Sequence, residues 1–223
     1  MTADQADFLR LRTAAWGIRL EEEAITRLAR FFELLAAWNR HIRLVGERDQ
    51  DLIVRKHGLD SLAPARYLPP GGLTVDIGSG GGFPGIVLGC VRPDLELVLL
   101  DSRRRPVSFL REVVRDIPLP RATAVQVRAE SAAHDASLAS RARVVIGRGL
   151  RVDIFLRLAR PLLGPEGIAI TMQTPRVGTV AAGAARRSGM RLTDLFDYQL
   201  APGEARRLLV FEAAADAHPD TVS

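Results

Sequence analysis

The stretch Val75-Asp76-Ile77-Gly78-Ser79-Gly80-Gly81-Gly82-Phe83-Pro84-Gly85 carries the strongest chemical signal in the chain. A short β-branched run, 73–77, leads into a turn with glycine at 78, 80, 81, 82 and 85. Glycine allows a tight turn and lets a ligand approach with no Cβ in the way. Pro84 suits the first turn of a following helix. In an open parallel sheet, ligands bind in the crevice outside the carboxyl ends of the strands. A second apolar run, 95–100, ends in Asp101, 25 residues after Asp76. An acid in that place accepts hydrogen bonds from ribose hydroxyls. Strand, glycine turn, helix and acid together point to a ligand containing a nucleoside.

Two classes of ligand compete for this pattern. A dinucleotide site reads Gly-x-Gly-x-x-Gly. Residues 78, 80 and 83 fail it because 83 is Phe, whereas Gly80, Gly82 and Gly85 fit formally. A dinucleotide-dependent oxidoreductase therefore remains open. Asp76 weighs against it, since a carboxylate at the end of the first strand repels pyrophosphate and suits a cation. S-adenosyl-L-methionine carries a sulfonium and an ammonium, so the electrostatics favour an adenosyl donor.

Alternating strands and helices must hold this turn. Residues 73–77, 95–101, 122–127, 143–146, 167–172 and 206–212 read as strands. Helical patterns cover 84–90, 102–115, 154–163 (with Gly164 just after) and 177–188. The alternation predicts an α/β fold with a mostly parallel sheet covered on both faces. Ahead of it, 8–16 reads as a helix closed by Gly17. Ile25, Leu28, Phe32, Leu35 and Ile42 form one apolar stripe within 21–45, and 49–63 reads as a third helix ending near Pro64. Pro69-Pro70-Gly71-Gly72 separates an N-terminal helical region, 1–70, from a sheet domain, 71–212. A small polar tail, 213–223, is expected to fray.

The 223 residues carry 31 Lys+Arg against 26 Asp+Glu, a net charge of +5. Residues 71–176 hold 15 bases and 10 acids, so the positive excess lies with the glycine turn. Lys56 is the single lysine. That bias fits arginine-rich codon usage and also the forked grip of guanidinium on phosphate. Arg103, Arg104 and Arg105 open the helix after Asp101, against the helix dipole. They read either as a solvated face or as phosphate contacts beside the crevice. A lone cysteine, Cys90, excludes an internal disulfide, and the scattered histidines 41, 57, 134 and 218 predict no metal site. The chain has no signal peptide or membrane-spanning run, so a soluble cytoplasmic protein is expected.

Further motifs give the pattern a resemblance. Val75 to Ile86, Leu99-Leu100-Asp101-Ser102 and Phe109-Leu110-Arg111 resemble the bacterial 16S ribosomal RNA guanine-N7 methyltransferases, the glucose-inhibited division protein B family. So do Trp38-Asn39, Leu44-Val45, Lys56-His57-Gly58-Leu59-Asp60-Ser61-Leu62, Val125-Gln126, Arg128, Glu130 and Arg148. The resemblance spans residues 28 to 212. It implies a class I S-adenosylmethionine-dependent methyltransferase, with a Rossmann-like, mostly parallel seven-stranded sheet and an N-terminal helical extension. It implies S-adenosyl-L-methionine as cofactor, 16S rRNA or the small ribosomal subunit as partner, a monomer, and no metal. Asp76, Gly78, Ser79, Gly80, Gly82 and Phe83 would lie along the methionine and adenosine, Asp101 and Ser102 at the ribose, and Ala129 and Glu130 at the adenine edge. Arg148 would sit next to the cofactor and target base, and His57 and Asp60 on the helix facing the cleft, either as RNA contacts or in helix packing; Arg103, Arg104 and Arg105 are RNA-contact candidates by their charge alone.

Two positions depart from the family pattern. Gly149 follows Arg148 where alanine is usual, and Thr171-Met172-Gln173-Thr174-Pro175 stands where the family has Lys-Gly. An RNA-binding protein that retains the fold without transfer activity, or a diverged enzyme with another substrate, are the alternatives. Methylation at guanine N7 needs no general base, because N7 has a free lone pair and loses no proton. The lack of an evident acid–base pair is therefore consistent with that chemistry.

Overall fold

A computed structural model describes residues 1–214. Its centre is a seven-stranded sheet of β1 (Leu73–Ile77), β2 (Glu96–Asp101), β3 (Ala122–Gln126), β4 (Ala142–Arg148), β5 (Leu163–Gln173), β6 (Met190–Gln199) and β7 (Ala205–Ala213). The strand order is β3-β2-β1-β4-β5-β7-β6, with β1 to β5 parallel and β7 antiparallel to both β5 and β6. The order reverses between β1 and β4, which opens a crevice at their carboxyl ends. All five residues of β1 are buried, as expected of a strand covered on both faces.

Helices α1 (Ala3–Ala14) and α2 (Glu22–Asn39) lie in the N-terminal part. The predicted third helix is one helical stretch of changing pitch. It runs through α3 (Gln50–Leu52), a π-helical turn over Ile53–Gly58, α4 (Leu59–Leu62) and a 3-10 turn over Ala63–Tyr67. Inside the sheet region follow α5 (Gly85–Val91), α6 (Arg104–Asp116), α7 (Ala129–Ala132), α8 (Val152–Ala159) and α9 (Gly178–Arg187). Leu28, Phe31, Phe32 and Leu35 of α2 share one core with Ile86 and Leu88 of α5 and Phe109 and Leu110 of α6. Phe155 and Leu156 of α8 and Ala181 and Ala184 of α9 fill the opposite face of the sheet. Cys90 is fully buried on α5.

Several boundaries differ from the sequence reading. Helix α2 stops at Asn39 rather than Val45, so Ile42 leaves the predicted stripe. Helix α8 ends at Ala159, and β5 begins at Leu163, through the glycine expected to close the helix. Strand β6 has no counterpart among the runs read as strands. A register shift between Leu192 and Asp194 breaks its alternation, and much of it faces solvent, so periodicity does not reveal it. Of the tail expected over 213–223, Ala213 closes β7, and residues 215–223 lie outside the described residues. Among the described residues no helix is long and apolar enough to cross a membrane.

The junction of β1, the glycine turn and α5 is held by one buried contact. The Gly85 N–H donates to Asp76 Oδ2 at 3.0 Å. A Cβ at Gly85 would lie 2.5 Å from that oxygen and collide with Leu99 Cδ2 of β2. Alanine in place of a helical glycine ordinarily stabilises by about 1 kcal/mol. Here overpacking reverses the sign, and Gly85→Ala is expected to destabilise by ~1–3 kcal/mol in urea unfolding.

Asp76 has no exposed surface, and its Oδ1 has no hydrogen-bond partner. Burial pushes its carboxyl from the ordinary 3.8 up to about 6, opposed by the nearby Ser79 hydroxyl and the Gly85 N–H. The folded chain therefore keeps this proton to higher pH than the unfolded chain. Stability is lost as pH rises from about 4 through about 6, at ~1.4 kcal/mol per pH unit. Asp76→Asn keeps a carbonyl oxygen for Gly85 and carries no charge. Its stability relative to the parent should rise by roughly 2–3 kcal/mol across that window in cofactor-free protein. A pH-independent difference would contradict the burial argument.

Candidate active site

The ends of the parallel strands present the predicted site residues in spatial order: Ala129 and Glu130 after β3, Asp101 on β2, the glycine turn after β1 and Arg148 on β4. The Gly78 and Ser79 N–H groups donate to the Leu100 carbonyl at 2.8 and 2.9 Å, tying the turn to β2. Gly80, with φ +54°, donates its N–H to Asp101 Oδ2 at 3.0 Å. A Cβ on Gly78 would meet nothing within 4 Å, so the backbone there faces open space. The buried Ser79 hydroxyl donates to the Asp76 carbonyl at 3.1 Å. Asp76 itself lies beneath the turn rather than in the crevice wall.

Asp101 is nearly buried, and its carboxylate is engaged by the next helix. Arg103 donates its backbone N–H to Oδ1 at 2.9 Å, and its guanidinium reaches Oδ1 at 3.2 Å and Oδ2 at 3.3 Å. Arg103 thus occupies the acceptor positions that ribose hydroxyls would use. Ser102 is exposed, as are Arg104 and Arg105 in the first turn of α6. Ala129 and Glu130 line a separate cavity of about 320 Å³, shared with Ile154 and Arg157 of α8.

On the β4 side the N-terminal helices enter the site. Asn39 Oδ1 accepts from the Leu44 and Val45 N–H groups at 2.9 and 3.2 Å. That loop presses on the turn, since a Cβ at Gly81 would lie 3.1 Å from Val45 Cγ1. The Trp38 indole N–H donates to Glu112 of α6 at 3.0 Å. The Trp-Asn and Leu-Val signatures therefore belong to one brace against the glycine turn. Gly82 is closed in by α2, since a Cβ there would lie 3.0 Å from the Phe31 ring.

Phe83 joins the two halves of the chain. Its ring packs against Phe31 (centroids 5.3 Å apart) and His57 (5.5 Å), and the Arg148 guanidinium carbon lies 5.0 Å from its centroid. Asp60, also buried, accepts from Arg148 at 3.3 Å and from the Tyr198 hydroxyl at 2.6 Å, so both its oxygens are taken within the protein. Burial, then the nearby Asp60, push the Tyr198 hydroxyl far above its ordinary value. His57 Nε2 lies 2.7 Å from Glu47 Oε2. Burial, then the Arg148 charge, lower the His57 pKa, outweighing the raising effect of Glu47. The contact is therefore a hydrogen bond from neutral imidazole to carboxylate at neutral pH, with the proton on Nε2 because an ionised carboxylate only accepts. The same bond holds Glu47 below its usual range.

Arg148, His57 and Asp60 line a cavity of about 480 Å³ together with Lys56, Gln173 and Arg206. Gln173 stands in the β5 stretch where the resemblance leads one to expect lysine. Its side-chain amide donates to the Leu150 carbonyl and the Thr171 hydroxyl, both at 2.9 Å. The sequence reading missed Glu47, Tyr198, Gln173 and Arg206 as participants. Tyr198 sits on the unrecognised strand, 138 residues from Asp60, and no local pattern links such a pair. Among the described residues, no group of three or more His, Cys, Asp or Glu could hold a metal ion.

A family model described as rRNA small subunit methyltransferase G matches residues 24–183. Curated relatives named ribosomal RNA small subunit methyltransferase G include one from Geobacter sp. (strain M21), 34% identical over 94% of this chain and 98% of the relative. Others are from Carboxydothermus hydrogenoformans, 35% identical over 88% of this chain and 86% of the relative, and Halorhodospira halophila, 36% identical over 76% and 79%. Solved structures with the same fold include the B. subtilis M1A22 tRNA methyltransferase TrmK (TM-score 0.57, 16% identity, 75% of this chain and 70% of that one). A TehB-like SAM-dependent methyltransferase from Corynebacterium glutamicum matches with a TM-score of 0.55 at 18% identity over 82% of this chain and 97% of that one. TYW2 from M. jannaschii, solved in complex with AdoMet, gives 0.53 at 16% identity over 68% and 72%. The sheet order, the glycine turn braced by the N-terminal helices, and these likenesses agree: the chain belongs to the rRNA small subunit methyltransferase G family.

Proposed function

We propose that this S-adenosylmethionine-dependent methyltransferase acts on N7 of a guanine in the RNA of the small ribosomal subunit, as a monomer in the cytoplasm. One observation carries the reading. Arg148 packs on Phe83 of the glycine turn and also lines the neighbouring cavity, so a single side chain joins the cofactor crevice to a space for the target base. Open backbone over Gly78, the Asp101 carboxylate and the buried Asp76 charge suit a ligand with vicinal hydroxyls and a cationic centre.

S-adenosylmethionine supplies, when bound, an electrophilic methyl on a sulfonium. Gly78, Ser79, Gly80, Gly82 and Phe83 would form the floor under it, and Asp101 with Ser102 would take the ribose. Ala129 and Glu130 would meet the adenine. With the donor held there, the N7 lone pair would form the new C–N bond as the C–S bond broke, and the positive charge would pass to the base. No proton moves, so His57 has no acid–base duty and serves through its packing on Phe83. The chain's contribution is placement, with N7 held ~3–3.5 Å from the methyl carbon. Arg148 donates to Asp60 with one nitrogen, and its remaining N–H groups suit the guanine O6 while leaving N7 free. Arg103, Arg104 and Arg105 would contact RNA phosphate beside the crevice. The absence of the family's lysine from the 171–175 stretch is what favours a different target.

Unmodified small subunits incubated with methyl-tritiated cofactor should take up label, and the label should map to a 7-methylguanine by strand scission with aniline after borohydride reduction. Uptake at another atom supports the diverged-substrate reading, and no uptake with cofactor binding intact removes the enzymatic one for this substrate. Asp101→Ala should weaken cofactor binding by ~1.5–3 kcal/mol in equilibrium dialysis, the worth of a hydrogen bond to a charged group. Arg103→Ala should leave binding equal or tighter, because it removes a competitor for Asp101. A loss as large as that of Asp101→Ala would make Arg103 part of the cofactor site.

A further inference from the structure

Away from the cavity at Arg148, the loop after α2 gathers positive charge with nothing to balance it. Asn39 ends α2, and its side-chain amide donates to the Glu47 carbonyl at 3.0 Å, 8 residues on. Its Oδ1 accepts from Leu44 and Val45 within the same loop. One side chain thus closes the loop and brings its two flanks together. Arg40 follows Asn39 and Arg48 follows Glu47, so closure sets the two arginines on one hollow. They line it with Ala36, Asn39, Gln50 and Ile53, around a volume of about 430 Å³. The same loop meets the glycine turn through Val45 and Gly81, so the hollow belongs to a segment that borders the cofactor crevice.

Among the described residues no carboxylate lines this hollow. The acids nearest in sequence are engaged elsewhere. Glu47 is held by His57 and Lys56, Asp49 caps α3 through the Asp51 N–H, and Asp51 is taken by Arg55 and Gln5. Arg40 and Arg48 are exposed, and among the described residues neither has a carboxylate partner. The carbonyls at the end of α2 favour a nearby cation, which accounts for Arg40. They give no reason for Arg48, which arrives from the far flank of the loop. Two like charges held at one hollow repel, and an anion between them relieves that repulsion. Guanidinium groups grip phosphate through paired N–H donors. Among the described residues no aromatic ring lines the hollow, so it offers no platform for stacking a base. Gln50 adds an exposed amide at the rim, which suits a ribose hydroxyl.

We propose that Arg40 and Arg48 hold one backbone phosphodiester of the substrate RNA, at an anchor separate from the nucleotide that is methylated, with Gln50 on an adjoining ribose. The assignment rests on small-subunit RNA being the substrate, and it is independent of which atom receives the methyl group. The anchor shares no lining residue with the cavity at Arg148. It reads no base, because phosphate contacts fix register and orientation without carrying sequence information. Through the loop that Asn39 closes, it fastens RNA to the part of the chain that braces the glycine turn.

The test is binding of protein-free small-subunit RNA to the full chain, followed by filter retention across a salt series. Arg40→Gln combined with Arg48→Gln should weaken binding about five- to tenfold near physiological salt and flatten the log–log salt slope by ~0.7–0.9, the value for one lost phosphate contact. Arg40→Lys combined with Arg48→Lys should keep most of both. Arg186→Gln combined with Arg187→Gln removes the same charge from the last turn of α9, on the opposite face of the sheet, and should change neither. Thermal midpoint and cofactor affinity should be unchanged in the Arg40/Arg48 glutamine pair. In methyl transfer to unmodified small subunits, that pair should raise KM by a similar factor and hold kcat. The proposal falls if the parent does not bind protein-free RNA, if the glutamine pair binds it like the parent, or if the α9 pair loses as much. It also falls if the glutamine pair loses affinity for assembled subunits alone, which would assign the hollow to an acidic segment of a ribosomal protein. Transfer by the glutamine pair at the parental KM removes the anchor and keeps the enzyme. Weakened RNA binding in the glutamine pair, with no transfer by the parent, keeps the anchor and removes the enzyme.

Discussion

The site depends on a contact that admits no side chain. Gly85 opens α5 directly against the Asp76 carboxylate and Leu99, with no room for a methyl group between them. This close approach brings α5 down onto β1 and β2, and the glycine turn between strand and helix takes its shape from that constraint. Once the turn is set, the Gly78 and Ser79 N–H groups reach the Leu100 carbonyl, and Gly80 reaches Asp101 on the next strand. The acid beneath is held in its least favourable environment, with one oxygen bonded and the other unpartnered. Its burial places negative charge directly under the crevice, where a sulfonium would benefit from it.

The N-terminal helices complete the site rather than decorate it. Through Asn39 they fix the loop that presses on Gly81, and through Phe31 and His57 they pack on Phe83. Phe83 in turn carries Arg148, which Asp60 and Tyr198 orient from a third direction. Arg148 is therefore positioned by α4, by the glycine turn and by β6 together. Aromatic packing and a buried carboxylate hold the guanidinium without consuming all its donors. This arrangement leaves Arg148 with free donors at the edge of the neighbouring cavity.

Charge follows the same logic. The surplus of bases in residues 71–176 marks the sheet region as the positive part of the chain, but two of the four cations around the cavity, Lys56 and Arg206, lie outside that segment. Gln173, in the stretch where the resemblance leads one to expect a lysine, lines the same cavity as Arg206 of the adjoining strand. Position in space rather than position in sequence decides which cations face the cavity.

What the sequence alone determined is local. Glycine spacing, the strand-end acids Asp76 and Asp101, and alternating apolar periodicities announced the parallel sheet and its crevice, because each depends on neighbours a few residues away. The motifs around Asn39, His57 and Asp60 were legible as signatures, but not as a brace behind Phe83 and Arg148. Strand β6 escaped notice because a register shift and solvent exposure erased its alternation. Only the tertiary structure decided that Asp76 lies beneath the turn, that Asp60 meets Tyr198, that Arg103 covers Asp101, and that Lys56, Arg148 and Arg206 face one hollow. Burial and charge convergence are properties of packing between distant segments, and periodicity along the chain carries no record of them.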